Sequence, residues 1–271
     1  MNRKIALYAR LANLAYTDIE GVPFISELAD LKVKLLATFK NNDTGAKGFI
    51  VQDGNDIGIV MGYGKKYADW LPEFSSATVE LANNLGSMFS VNKEFTATFS
   101  SIKNVIIELF KSRETPANFE WVGHGAGGAI ATLGAFWTSQ WPAFSTKLYT
   151  FGSPRVGDKR FVDLLNDKVT ECHRVVGEGD LIPGIPLIDN QGQWYKHVKG
   201  KMAVHEGGKV VIVSTTPFYE RVKVFKRKIE TKLFGDGLPE MRNSKDPYLD
   251  QVGANDHVMK GFEFKEDEIA S

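Results

Sequence analysis

The stretch Trp121-Val122-Gly123-His124-Gly125-Ala126-Gly127-Gly128 constrains this chain more than any other part of it. It opens a run in which no residue between Glu120 and Lys147 carries a fixed charge. Such a run is just long enough to cross a bilayer. Against that reading stand His124, four glycines before Ile130, then Thr138, Ser139, Gln140 and Pro142. The pattern instead predicts a buried strand over Phe119 to Val122, a glycine turn, and a core helix from about Ala126 to Trp137.

The remaining segments extend this strand–turn–helix unit. A helix is expected near Asn2 to Tyr16, where Ile5, Tyr8, Leu11 and Ala12 share one side. Leu31 to Phe39, Gly48 to Gln52 and Ile57 to Met61 are β-rich and separated by NNDTGAK and DGND turns. Phe95, Phe99, Ile102, Val105, Ile106 and Leu109 recur at helical spacing, so Asn92 to Lys111 reads as an amphipathic helix. Strands at Leu148 to Phe151 and His173 to Val176 flank a helix around Lys159 to Leu165. Strands alternating with helices imply an α/β fold: a mostly parallel central sheet with helices on both faces. No linker divides the 271 residues, so residues 1–271 are expected to form a single domain. Ligands of such sheets gather at the carboxyl ends of the strands, where the glycine turn falls.

Composition excludes several functions. With 33 basic and 33 acidic side chains the net charge is zero, which removes the attraction to phosphates expected of a nucleic-acid binder. Cys172 is the single cysteine, so no internal disulfide forms, as suits a reducing compartment. Arg3, Lys4, Arg10, Asp18 and Glu20 interrupt the first residues too often for the apolar core of a signal peptide. A cytoplasmic location is therefore expected, with secretion after loss of a signal left open. No metal site is expected, because His173, His197 and His205 show neither H-E-x-x-H nor paired C-x-x-C spacing. Cys172 and His173 are neighbours on a predicted strand and point to opposite faces, which makes them a poor nucleophile–base couple.

Two chemistries compete for the glycine turn. Gly123, Gly125 and Gly128 satisfy the dinucleotide pattern G-x-G-x-x-G. That pattern wants an acid roughly 20 residues on to hold the ribose hydroxyls, but the next carboxylate after Glu120 is Asp158. The other chemistry is a nucleophile elbow, G-x-S-x-G, in which small flanking residues allow a sharp bend from strand to helix. Gly123 and Gly127 provide the flanks, and Gly125 stands at the apex.

Four segments then resemble one family in order along the chain. Gly123-His124-Gly125-Ala126-Gly127-Gly128-Ala129-Ile130-Ala131-Thr132-Leu133 is similar to the G-H-S-L-G-G-A-x-A-x-L segment of the fungal-type, class 3 triacylglycerol lipases. Tyr149-Thr150-Phe151-Gly152-Ser153-Pro154-Arg155-Val156-Gly157-Asp158 resembles their Y-T-x-G-x-P-R-V-G-D. Arg174 to Pro183 resembles R-x-V-N-x-x-D-x-V-P, and Asp256-His257-Val258 resembles a D-H-L near the family's carboxyl end. The resemblance implies an α/β-hydrolase fold and an ancestry in carboxylic ester hydrolysis without a cofactor. It places the orienting acid at Asp180, the base at His257 and a lipid or acyl ester as ligand. The order Gly125, Asp180, His257 is the Ser-Asp-His order of that fold.

Two departures stand out. Gly125 has no side chain where the family carries its serine, and neither His124 nor Thr132 is placed by the motif to replace it. Met61-Gly62-Tyr63-Gly64 corresponds to the family's F-R-G-S/T, so Gly64 would offer the oxyanion only a backbone N–H, with Ala126 offering the second. The expectation is a catalytically impaired or inactive pseudoenzyme. The alternative is an active lipase or esterase with a Ser-Asp-His mechanism, of which this chain is an inactivated variant. Lys65 to Phe74 occupies the place of the family's lid, where Trp70 and Leu71 either meet an acyl chain or pack in the core. Pro217 to Phe234 reads as a basic amphipathic helix, either docked by its apolar stripe or lying against an anionic membrane.

Overall fold

Period-two alternation at the middle of the chain builds two apolar layers on one sheet. Ile57, Ile59 and Met61 join Phe119, Trp121 and Leu148 in one core, whereas Val60, Val122, Tyr149, Phe151 and Val175 face the other. In the computed structural model, which describes residues 3–64, 77–111, 118–177, 180, 182–204 and 210–212, these residues lie on the central strands of an eight-stranded sheet. The strands in chain order are β1 (Lys34–Asn41), β2 (Ala46–Asp53), β3 (Asp56–Tyr63), β4 (Thr78–Ala82), β5 (Met88–Asn92), β6 (Asn118–His124), β7 (Thr146–Phe151), β8 (Glu171–Gly177), β9 (Lys201–Val204) and β10 (Val210–Ile212). The large sheet is ordered β1-β2-β3-β6-β7-β8-β9-β10, and β4 and β5 form a separate antiparallel ribbon. The pairings β3–β6, β6–β7, β7–β8 and β8–β9 are parallel; those at the two edges are antiparallel.

Helices cover both faces. On one side lie α1 (Arg3–Leu14) and α2 (Val22–Asp30), which bury Tyr8, Leu11, Phe24 and Leu28 against the second core. On the other lie α3 (Lys93–Lys111), α4 (Gly125–Thr138) and α5 (Lys159–Lys168). Helix α3 starts where the Asn92 carboxamide accepts from Phe95 N, and α5 where Asp158 accepts from Phe161 N. Both are side-chain caps that satisfy an amide with no partner inside its helix. The charge-free run from Glu120 is divided as its residues imply, into β6, α4 and β7, and no helix among the described residues is long and apolar enough to cross a membrane. Helix α4 lies so close to β6 that a Cβ at Gly134 would stand 2.2 Å from the Trp121 ring. The indole N–H of Trp121 in turn donates to Thr138 Oγ1 at 3.0 Å.

One buried charge ties α1 to the amino-terminal edge of the parallel strands. Glu120 on β6 has no solvent exposure. Its carboxylate accepts from Tyr8 Oη and lies 2.7 Å from Lys4 Nζ and 3.8 Å from Lys147 Nζ. Lys4 also pairs with Asp56 at the start of β3. An unpaired carboxylate at this depth would be costly, so its partners hold the amino-terminal helix in place. Tyr8→Phe keeps the ring and removes one donor to a charged group. Urea denaturation should show a loss of about 1.5–3 kcal/mol; a change below about 0.5 kcal/mol would mean that the lysines satisfy Glu120 without the phenol.

Candidate active site

The carboxyl ends of the parallel strands bring together residues from three separate segments. Strand β6 ends at His124, whose backbone is extended (φ −109°, ψ 145°), and α4 starts at once with Gly125 at φ +51°. A left-handed residue between strand and helix is the geometry of a sharp elbow, and glycine adopts it without a steric cost. The flanks allow no other residue type. A Cβ at Gly123 would lie 2.4 Å from the Gly127 backbone, and one at Gly127 would lie 2.2 Å from the Met61 carbonyl oxygen on β3. Strand, helix and neighbouring strand therefore touch through their backbones. At Gly125 the situation is reversed: a Cβ would meet only Tyr16 Oη, at 3.6 Å, among the described residues.

His124 is buried beside this bend. Tyr16 Oη donates to its carbonyl at 2.8 Å and lies 3.4 Å from its Nδ1, and the two rings meet edge-on at 5.5 Å. Burial pushes the imidazole down to about 4, and desolvation around the hydroxyl pushes the Tyr16 phenol up although the residue is 38% exposed overall, so both stay neutral near pH 7.

Asp180 approaches the same point from the end of β8. Its Oδ1 accepts from Ile182 N at 2.9 Å, which fixes the carboxylate at the head of the following loop. Between Asp180 and His124 runs Gly152, the first residue after β7, at φ +58°. A Cβ there would stand 2.8 Å from Asp180 Oδ2 and 3.5 Å from His124 Nε2, so glycine is what lets the carboxylate approach the elbow. The loop beyond is held by Arg155, whose buried guanidinium donates to the carbonyls of Gly184 and Pro186.

Gly64 departs from the sequence expectation. Its N–H donates to the Gly45 carbonyl at 2.7 Å, because the β2–β3 pairing extends one residue past Tyr63. That amide is therefore not available to an oxyanion in this conformation. Ala126 N–H is one of the first amides of α4, which have no partner within a helix. His257, Trp70, Leu71 and the segment 217–234 lie outside the described residues. Cys172 is no rival nucleophile: its thiol is buried, donates to the Lys199 carbonyl and is pushed up to about 12 by burial. No cluster of three metal-binding side chains occurs among the described residues.

A parallel sheet covered on both faces, with a glycine-flanked elbow at its carboxyl edge, defines the α/β-hydrolase class. Residues 62–190, just under half of the chain, match the family model for Lipase (class 3). It is 28% identical over 122 residues to the secreted mono- and diacylglycerol lipase 1 of Fusarium solani, covering 44% of this chain and 36% of that one. It is 33% identical over 97 residues to a chloroplastic phospholipase A(1) of Arabidopsis thaliana, covering 34% and 22%. The chain thus spans about a third or less of these curated relatives. Among solved structures, the triacylglyceride lipase of Rhizomucor miehei superposes with a TM-score of 0.65 at 19% identity, over 81% of this chain and 88% of that one.

Tyr16 is the site neighbour that the sequence pattern did not reveal, since it follows a helix whose residues point into the core. A further consequence concerns acid. The unfolded chain takes a proton on His124 near the ordinary value of 6.5, whereas the folded protein refuses it until about 4. Stability is therefore complete above pH 6.5 and declines as the pH falls towards 4. Denaturation at pH 7 and pH 4.5 should differ by about 2–3 kcal/mol from this group alone. In His124→Gln that contribution disappears; an unchanged pH dependence would show that His124 is not protected.

Proposed function

We propose that this protein is a class 3 lipase-like pseudoenzyme, which binds a lipid or acyl ester and hydrolyses it poorly or not at all. The observation that carries the reading is the apex itself. Gly125 keeps the left-handed backbone of an elbow, where among the described residues a Cβ would meet only Tyr16 Oη beyond its chain neighbours, yet it supplies no nucleophile. Loss of the serine in comparable hydrolases lowers turnover about a millionfold. The engaged amide of Gly64 removes one oxyanion donor as well, a loss that typically costs about a hundred- to a thousandfold. On this reading Asp180 orients His257, and Ala126 N–H faces the oxyanion position. Trp70 and Leu71 of the lid segment would line the acyl path. The single cysteine favours a reducing compartment, with secretion left open, and contact of residues 217–234 with anionic membranes would weaken as salt is added.

The alternative, an active lipase or esterase inactivated by one replacement, is supported by the room at position 125. Among the described residues other than its chain neighbours, a Cβ there meets nothing closer than 3.6 Å, so serine is accommodated by them at a backbone cost of about 1–3 kcal/mol. Hydrolysis of short-chain and long-chain esters by the unsubstituted protein, Gly125→Ser, and Gly125→Ser with Gly64→Ser separates the two. The pseudoenzyme reading expects background turnover from the first, and from Gly125→Ser a partial recovery that Gly64→Ser increases about tenfold or more. Full activity from Gly125→Ser alone supports the inactivated lipase, and robust turnover by the unsubstituted protein overturns both.

A further inference from the structure

The loop that follows Asp180 folds back as a short hairpin and leaves an indole in solvent. Trp194 is 57% exposed, and Ile188, its partner across the hairpin in an antiparallel bridge, is 46% exposed. Residues opposed in this way share one face. The hairpin itself is held firmly. Buried Asp189 accepts from Gln191 N and Gln193 N, Tyr195 N donates to the Leu187 carbonyl, and Lys196 N donates to the Gly157 carbonyl. A fixed backbone thus presents two apolar side chains outward, and covering them costs little further ordering. Trp194 also lines an open cleft with Lys196 and with Asp158, Lys159, Arg160 and Asp163 at the start of α5. The carboxylates of this cleft are already engaged: Asp158 accepts from Phe161 N and Ser90 N, and Asp163 pairs with Lys159 at 2.5 Å. Arg160 and Lys196 have no ion-pair partner among the described residues. Arg160 donates to the carbonyl of half-exposed Met88 at 3.3 Å, and Lys196 Nζ lies 6.0 Å from the centre of the Trp194 ring.

We propose that Trp194, Ile188 and the cations beside them form a docking surface for an anionic lipid bilayer. The indole and Ile188 enter the headgroup boundary, a place that suits Trp because its ring is apolar and its N–H is polar. Arg160 and Lys196 then meet lipid phosphates and carboxylates at the level where Trp194 sits. Charge complementarity selects this occupant. With 33 basic and 33 acidic side chains, the chain has no net charge to draw it towards an anionic surface from a distance. The attraction has to be local, and here it comes from two cations whose neighbouring carboxylates are spent. Apolar and cationic side chains interleaved around an open cleft suit a plane of mobile headgroups, which demands no matched shape. They offer little of the apolar, charge-depleted centre that a protein partner buries. The surface lies within the described fold and uses neither the lid segment nor residues 217–234. It goes beyond the reading of the elbow, since it requires no ester to be bound or cleaved there.

Sedimentation of the full-length chain with phosphatidylcholine vesicles, with and without phosphatidylserine, tests the surface. Binding should require phosphatidylserine and weaken as salt is added; equal affinity for both vesicles, or none for either, overturns the proposal. Trp194→Ala should weaken binding to the anionic vesicles about tenfold. Arg160→Gln with Lys196→Gln should weaken it about 30-fold, roughly fivefold per cation, and leave thermal stability unchanged. Unaltered affinity in both variants overturns the proposal. If affinity falls instead on Arg221→Gln with Lys223→Gln, the membrane contact belongs to residues 217–234. Should a variant prove unstable, Ile188→Cys carrying an environment-sensitive fluorophore gives a second reading, because Cys172, the single native thiol, is buried. Its emission should shift to the blue on anionic vesicles, and an unshifted spectrum overturns the contact. Turnover of a soluble short-chain ester, at whatever level the unsubstituted protein shows, should be the same in these variants, so this surface and the elbow reading fail separately. A changed turnover would put Trp194 or its neighbours in the ester site and overturn the docking role.

Discussion

Backbone contact without intervening side chains sets the geometry of this molecule. Gly127 on α4 lies against the Met61 carbonyl of β3, and Gly123 on β6 lies against Gly127. These contacts bring the start of a helix, the strand that feeds it and the neighbouring strand closer than any Cβ would permit. The first amides of α4 are thereby aimed over the carboxyl edge of the sheet, and position 125 projects above it. Gly152 extends the same principle to β7, where the absence of a Cβ leaves room for the Asp180 carboxylate beside His124.

The two ends of the parallel strands are specialised differently. At the amino end, Glu120 is buried among Lys4, Lys147 and Tyr8, an arrangement that anchors α1 and offers no open chemistry. At the carboxyl end, among the described residues, polar groups stand by bends or loop starts. His124 caps the approach to α4, Asp180 heads the loop that Arg155 secures, and Tyr16 crosses from the opposite layer. Helix α1 joins both ends: its first turn carries Lys4, and the turn after it carries Tyr16.

Much of this was legible in the residues. The central strands and the helices α1, α3, α4 and α5 declare themselves because their apolar periodicity matches the layer that each one faces. Helix α2 and the ribbon of β4 and β5 were not foreseen. The first is nine residues long, and the strands of the ribbon alternate only partly between buried and exposed positions. Strands β9 and β10 are four and three residues long, too short for periodicity to register. At the site, the elbow and Asp180 were readable as local motifs. The engagement of Gly64 was not, because it depends on how far a β-ladder continues, which is a matter of register rather than of residue type. Tyr16 was hidden for a related reason: its role comes from a contact 108 positions away in sequence.

The bond from Gly64 to Gly45 bears on the history of the fold. Once an amide is recruited into a ladder, its withdrawal weakens a hairpin as well as freeing a donor. A lineage that had lost its alcohol at the apex and then let the ladder close over this amide would regain turnover only in part by one reversal. The closed ladder would act as a ratchet, with selection for a firm sheet edge opposing any return to chemistry.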